Sequence, residues 1–245
     1  MRPLTASKLL SVWERAAQQP PVERALLLLG AGWPEQTTEG LAQLPIGQRD
    51  SLLVALREMT FGSQFIGRLL CQKCGERLEL AFKVSDVCVA REPETAAVLP
   101  INAAGYDVMF RPPNSEDIRA VTQVVDRNCD AEQMLLRRCV LRVTKDHVEQ
   151  PVDELPQAVV ETVVEGMAEA DPQAIPLSLT CAACNHQWLI GFDIVSYFWS
   201  EVNAWANRML REVHLLASRY GWREDDILAM SPWRRQAYLE MIGGG

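Results

Sequence analysis

Two stretches of this chain decide its fold: Cys71-Gln-Lys-Cys74-Gly-Glu-Arg-Leu-Glu-Leu-Ala-Phe82 and Cys181-Ala-Ala-Cys184-Asn-His-Gln-Trp-Leu-Ile-Gly-Phe192. In each stretch a short apolar segment follows a Cys-x-x-Cys pair, and a phenylalanine stands eleven residues after the first cysteine. The chain therefore carries one local unit twice: a tight turn with two thiolates, then a short strand. Two such units supply four sulfurs, which is the ligand set of a closed structural zinc site.

Redox chemistry and inert thiols are the alternatives to metal binding at a Cys-x-x-Cys pair. A redox pair needs a thiolate at the N-terminus of a helix, whereas both pairs here are predicted to precede strands. Gly75 and Asn185 directly follow the second cysteines, and both residue types tolerate the positive φ of a knuckle turn. Zinc is therefore the favoured cofactor. The predicted ligands are Cys71, Cys74, Cys181 and Cys184.

The two cysteine pairs lie far apart in the sequence. Common zinc ribbons close this gap in about 15–20 residues, whereas Cys74 and Cys181 are more than 100 residues apart. The shared spacing to Phe82 and Phe192 is the reason to pair them. His186 could replace a ligand, but four sulfurs already fill a tetrahedron, which favours a surface histidine. The remaining cysteines, Cys88, Cys129 and Cys139, are expected to be small buried or half-buried thiols.

Composition limits the classes of function. The chain has 245 residues, a formal net charge of −8 and 48% hydrophobic residues. The acidic balance argues against a dedicated nucleic-acid binder, and no apolar run is long enough to span a bilayer. Cysteine usage and the lack of a signal-peptide pattern predict a cytoplasmic location.

Helical patterns dominate the chain outside the knuckles. The predicted helices begin after Thr5 or Ser7, at Pro21, at Gly47, after Asn114, at Ala131, after Pro156, at Val195, at Trp222 and at Pro232. The helix from Pro21 is predicted to end at Leu29, and the helix from Ala131 is predicted to end at Leu141. Alternation predicts one further strand, from Tyr106 to Phe110. The long helix from Val195 to Tyr220 has apolar residues at steps of three and four, which indicates a helix packed along its length.

These elements predict an α+β, mainly α-helical fold, in which helical N- and C-terminal modules are joined by a split four-cysteine zinc ribbon with a helical insertion. The predicted boundaries are 1–62 for the N-terminal helical region, 63–84 and 177–194 for the split ribbon, 85–176 for the insertion and 195–245 for the C-terminal helices.

Catalysis is not expected. The acidic pairs Glu116-Asp117 and Asp225-Asp226 stand at helix starts, where acidic residues suit the helix dipole. Three histidines leave few general bases, and no phosphate-binding glycine loop or nucleophile elbow occurs. We therefore predict a protein that is not an enzyme and has no small-molecule substrate.

Tryptophans concentrate in the last quarter of the chain. A packed helical core explains them, and so does a partner-binding face, because tryptophan and arginine dominate interface hot spots. The candidate partner-binding residues are Trp222, Trp233, Arg234 and Arg235.

The C-terminal stretch from Arg211 to Leu239 resembles a recurring ending of phage tail proteins. A long helix with a histidine is followed by an aromatic turn, an acidic pair with Ile-Leu, and a small helix with Arg-Arg and Tyr. T-even-type baseplate proteins, which are hub subunits and hub-assembly chaperones, look like this, as do their relatives in contractile injection systems. Three further segments resemble zinc-knuckle members of such clusters: 53–61, 71–80 and 110–117.

The resemblance implies a non-enzymatic structural component or assembly chaperone of a contractile-tail baseplate. Its partners would be other tail or baseplate proteins, and it would be associated with the virion or particle. The four-cysteine site departs from the T-even pattern. The alternative function is a cytosolic zinc-ribbon adaptor in transcription or RNA handling.

Overall fold

The computed structural model describes residues 1–83, 98–124, 131–171 and 175–243, without the side chains at 175 and 176. The helices are α1 (Ala6–Ala16), α2 (Pro21–Gly32), α3 (Thr38–Ala42), α4 (Ile46–Phe61), α5 (Ser115–Val124), α6 (Ala131–Cys139), α7 (Gln157–Ala170), α8 (Ile194–Tyr220), α9 (Glu224–Ala229) and α10 (Pro232–Gly243). The strands are β1 (Gln64–Leu70), β2 (Arg77–Lys83), β3 (Leu99–Ala103), β4 (Tyr106–Phe110), β5 (Val140–Lys145), β6 (Val148–Glu149), β7 (Ile175–Thr180) and β8 (Gln187–Phe192).

The first core lies where α1, α2 and α4 pack against the N-terminal half of α8. Its centre is made by fully buried side chains, among them Leu28, Leu53 and Phe198. The close approach of α2 to α4 depends on Gly32, because a Cβ there would lie 2.5 Å from a methyl carbon of Leu56. This contact explains why α2 runs through Gly30 to Gly32, beyond the predicted end at Leu29. Packing of the last turn against α4 outweighs the preference of glycine to end a helix.

The second core belongs to the insertion, which contains a sheet in addition to its helices. An antiparallel sheet with strand order β3-β4-β5-β6 packs against α7 through Val159, Val163 and Met167. The sequence predicted only β4 here and continued α6 to Leu141. That extension was wrong, because α6 ends at Cys139 and the chain turns directly into β5. Cys139 is fully buried, as predicted, whereas Cys88 and Cys129 lie outside the described residues.

The insertion is tied to the N-terminal helices by helix caps. The Asp171 carboxylate accepts hydrogen bonds from the backbone N–H groups of Gly47 (2.7 Å) and Gln48 (3.2 Å). These groups stand at the start of α4, where the helix has unsatisfied donors and a partial positive charge. Asn114, which caps α5, forms an isolated β-bridge with Pro45. The segments that border the insertion therefore help to begin α4.

The third core joins the C-terminal half of α8 to α9 and α10. Leu216 and Ile227 are fully buried there. Gly221, with φ of 71°, ends α8 in the left-handed conformation, and Ser231 accepts a hydrogen bond from the backbone N–H of Arg234 at the start of α10. The predicted order of one long and two short helices is confirmed.

Candidate metal centre and partner surface

Each cysteine pair lies in the turn of a two-stranded antiparallel hairpin, the first between β1 and β2 and the second between β7 and β8. Gly75 donates its N–H to the Cys71 carbonyl at 2.9 Å, and Asn185 donates to the Cys181 carbonyl at the same distance. Both residues have the expected positive φ, 74° and 53°. The strands after the cysteines are confirmed. The strands before them, β1 and β7, were missed.

The two hairpins have the same strand register. Phe65 pairs with Phe82 in the first hairpin as Ile175 pairs with Phe192 in the second, and the correspondence continues to the turns. The duplication therefore covers residues 65–82 and 175–192, a longer unit than the sequence indicated.

The four cysteine side chains form one cluster. All four sulfurs lie within 4.8 Å of one another, so they could hold a metal ion. The Cys71 and Cys184 sulfurs are 3.7 Å apart, as are those of Cys74 and Cys181. Cys71 and Cys181 are buried, Cys184 is half-buried and Cys74 is exposed. Residues more than 100 positions apart in sequence thus form one centre near the protein surface.

The pKa values of Cys71 and Cys74 are shifted in opposite directions. Burial raises the pKa of Cys71, but the N–H groups of Cys74 and Lys73 stabilise its thiolate, and the net pKa falls from 9.0 to about 6. At Cys74 the N–H of Glu76 lowers the pKa, but the neighbouring sulfurs and burial raise it more, and the net pKa is about 12. Thiolates this close repel one another, so ionisation of all four requires a cation among them.

An aromatic cluster connects the bases of the hairpins. Phe82 and Phe192 meet edge to face with ring centroids 5.2 Å apart, and Phe65 stacks on Phe82 at 5.0 Å. Tyr197 of α8 contacts Phe65 and Phe192. Its hydroxyl accepts the N–H of Ile66 (2.9 Å) and donates to the Ile66 carbonyl (3.2 Å). The cluster therefore fixes both hairpins to α8.

Arg57 supports this cluster from α4, and sequence reasoning missed it. Its guanidinium lies 4.1 Å from the centroid of Phe65 and makes a bidentate ion pair with Glu201. Arg57 also donates to the carbonyl of Gly62, just before β1. No local pattern marks such a residue, because Glu201, its ion-pair partner, lies 144 positions away in the sequence.

His186 lies beside the knuckle and not among the clustered ligands. Its ring stacks on Trp188 with centroids 5.3 Å apart, and it is half-buried. The described residues therefore place only sulfur ligands in the candidate centre.

The four candidate partner residues lie at the end of the chain in different environments. Trp222 is half-buried and packs between Tyr220 and Tyr238. Trp233 is 82% exposed, and Arg234 is exposed beside it. Arg235 is only 5% exposed and forms an ion pair with Glu212. Trp233 and Arg234 are thus accessible to a partner, whereas Arg235 holds α10 against α8.

A comparison with known protein families identifies the family of this chain. The model of the T4 bacteriophage base plate protein family matches residues 33–199, which is about two thirds of the sequence and includes both cysteine pairs. The chain belongs to this family. Three of the four resembling segments lie inside the matched region, whereas the stretch from Arg211 to Leu239 lies beyond it. No curated protein and no solved structure matches the chain.

Membership in the base plate protein family supports a structural role in a phage baseplate, with other tail proteins as partners. It also favours a non-enzymatic role. None of the helices in the described parts of the chain is long and apolar enough to cross a membrane.

Proposed function

We propose that this protein is a zinc-stapled, non-enzymatic component or assembly chaperone of the baseplate of a contractile tail, in a phage or an injection system. The observation that carries the proposal is the match to the base plate protein family over residues 33–199, because this region includes both halves of the cysteine centre.

Zinc is the metal that fits the four sulfurs best. With Zn–S bonds of about 2.3 Å, a regular tetrahedron places its sulfurs about 3.8 Å apart. The two distances of 3.7 Å between the cysteine pairs agree with this value. Four protein ligands leave no open position for a substrate, so the role of the ion is structural. It would staple two hairpins that are joined to each other by no β-ladder among the described strands.

The exposed end of α10 is the surface that we assign to a partner. Trp233 offers a large, stiff apolar contact, and the neighbouring Arg234 adds planar hydrogen bonding. Trp222 and Arg235 support this surface from below, since they pack α10 onto α8. The partner would be another tail or baseplate protein.

Two alternatives have less support. A zinc-ribbon adaptor in transcription or RNA handling shares the cysteine centre, but family membership does not favour it. A thiol oxidoreductase would need a cysteine at a helix N-terminus. Here both pairs lie between strands.

Co-expression with the tail proteins encoded beside this gene tests the proposal. We expect the protein to co-purify with at least one of them. Mass spectrometry of finished particles separates the two roles, because a component stays in the particle and an assembly chaperone leaves it. A protein that binds none of the tail proteins, and whose deletion leaves baseplates intact, has a different function.

A further inference from the structure

The two hairpins have the same strand register but differ in the number of charged side chains that they carry. By register, Glu79 of the first hairpin corresponds to Leu189 of the second, and Arg68 corresponds to Ser178. The segment Ile175–Phe192 contains no Asp, Glu, Lys or Arg. Its twin has five charged residues, Arg68, Lys73, Glu76, Arg77 and Glu79. The same structural unit is therefore charged in one copy and uncharged in the other.

The hydrogen-bond pattern shows which main-chain groups of the second hairpin face outward. Cys181 donates its N–H to the His186 carbonyl at 2.9 Å. In an antiparallel ladder, hydrogen-bonded residue pairs alternate with non-hydrogen-bonded pairs, so every second residue counted from His186 along β8 is bonded to β7. Gln187, Leu189 and Gly191 consequently direct their N–H and C=O groups away from β7. Among the described residues these groups have no hydrogen-bond partner.

The other strand of this hairpin is less suited to pairing. Its outward position next to the base is Pro176, which has no N–H to donate. In the first hairpin the equivalent residue, Ile66, has both main-chain groups bonded to the Tyr197 hydroxyl. Both first strands are thus blocked near the base, and β8 is left as an open edge among the described strands.

Natural proteins protect open edges with charged side chains, prolines or bulges. On the first hairpin β2 has Arg77, Glu79 and Lys83. The strand β8 has no charged residue, and Leu189 is 70% exposed on it. An uncharged, exposed edge with free main-chain groups is a template for another β-strand.

We infer that β8 pairs with β8 of a second copy of this chain, antiparallel and centred on Leu189. Leu189 would then lie opposite its own counterpart, and Gln187 opposite Gly191, which extends two hairpins into one four-stranded sheet. Such a two-fold contact is self-complementary, and no like charges meet in it. The same contact through β2 would place Glu79 against itself.

The small area of one strand pair makes this a weak association. Because each chain has a net charge of −8, screening of the repulsion by salt should strengthen it. Pairing of the β8 strands requires only the geometry of the hairpin and does not require a baseplate function.

Sedimentation equilibrium of the full chain, purified without chelator, tests the inference over a series of protein and salt concentrations. We expect a monomer–dimer equilibrium that shifts toward dimer as salt rises. Leu189→Glu, which introduces the residue that the twin hairpin has at this position, should raise the dissociation constant at least about tenfold. Leu189→Lys should do the same, since it also places like charges opposite each other.

The matched control is Leu70→Glu, at a leucine that is 61% exposed on the outer face of the first hairpin. It gives the same net charge as Leu189→Glu and should leave dimerisation unchanged. Circular dichroism melts identify any variant that is unfolded. If a Leu189 variant is unfolded, Gln187→Lys, which changes a residue on the same strand edge, is tested in its place. A protein that is monomeric throughout overturns the inference. Equal effects of Leu70→Glu and Leu189→Glu, or a tighter dimer with Leu189→Lys, also overturn it, because they indicate net charge and not strand pairing.

Discussion

Phe82 and Phe192 meet edge to face at the base of the two hairpins, with centroids 5.2 Å apart. Each stands eleven residues after the first cysteine of its own pair. The two hairpins therefore meet at two levels, in the aromatic contact at their bases and in the cluster of four sulfurs at their tips. A chelator separates the two contributions, because it would act only on a metal bound by the sulfurs and not on the aromatic contact.

The first prediction concerns metal content. Protein purified without chelator should contain about one zinc ion per chain. Because each hairpin supplies two ligands, Cys71→Ser and Cys181→Ser should lose metal equally, as measured by elemental analysis. The control Cys139→Ser changes a buried thiol outside the cluster and should keep the metal. Zinc loss in only one of the first two variants would show that the pairs do not form one site.

The second prediction concerns Arg57. Replacing it with methionine leaves Glu201 without its cation and removes the contact with Phe65. We expect the free energy of unfolding to fall by about 3 kcal/mol, as for other partly buried ion pairs that lose one partner. The control Arg68→Ala breaks an ion pair with Glu79 that is exposed on both sides, and should cost only about 0–1 kcal/mol. Equal losses in urea titrations would contradict this ranking.

The third prediction is a pH dependence at Asp117. Burial raises the pKa of this carboxyl, but hydrogen bonds from Arg111, the Asn114 N–H and Arg138 lower it more, and the net pKa lies below its usual range. A carboxyl with a lowered folded-state pKa stabilises the protein above its unfolded pKa, and this stability is lost as the pH falls through the folded value.

Asp117→Asn should therefore destabilise the fold by about 1–3 kcal/mol at pH 7. The difference from the unchanged protein should shrink below about pH 4, as measured by denaturant titration across the pH range. The control Glu165→Gln removes the same charge from the exposed face of α7. It should change stability by less than about 0.5 kcal/mol. A constant difference at all pH values would mean that the Asp117 charge does not contribute.

Local signals were sufficient for much of this structure. Thr5, Gly221 and Ser231 mark helix ends by capping chemistry that acts within a few residues. The sulfur cluster was also predictable, because a repeated spacing reveals a repeated unit even when its copies are far apart in sequence.

The missed strands lack such signals. The hairpin turns of the insertion use Ala104-Gly105 and Asp146-His147, and all four residues have positive φ. Alanine and histidine are not typical of turns in which both central residues need this conformation, so the turns could not be recognised. The sheet is stabilised by its packing on α7, a tertiary contact that no local pattern encodes.

The last prediction separates a partner surface from a packed helix at the end of the chain. Trp233 is 82% exposed, so Trp233→Ala should barely change the melting temperature. If this surface binds a tail protein, Trp233→Ala and Arg234→Ala should each weaken co-purification by about 1–3 kcal/mol. The control Trp222→Ala removes a side chain packed between Tyr220 and Tyr238 and should lower the melting temperature clearly. Normal binding by the folded Trp233→Ala and Arg234→Ala variants would mean that the partner contacts another face, and a large melting shift for Trp233→Ala would mean that this tryptophan stabilises the fold.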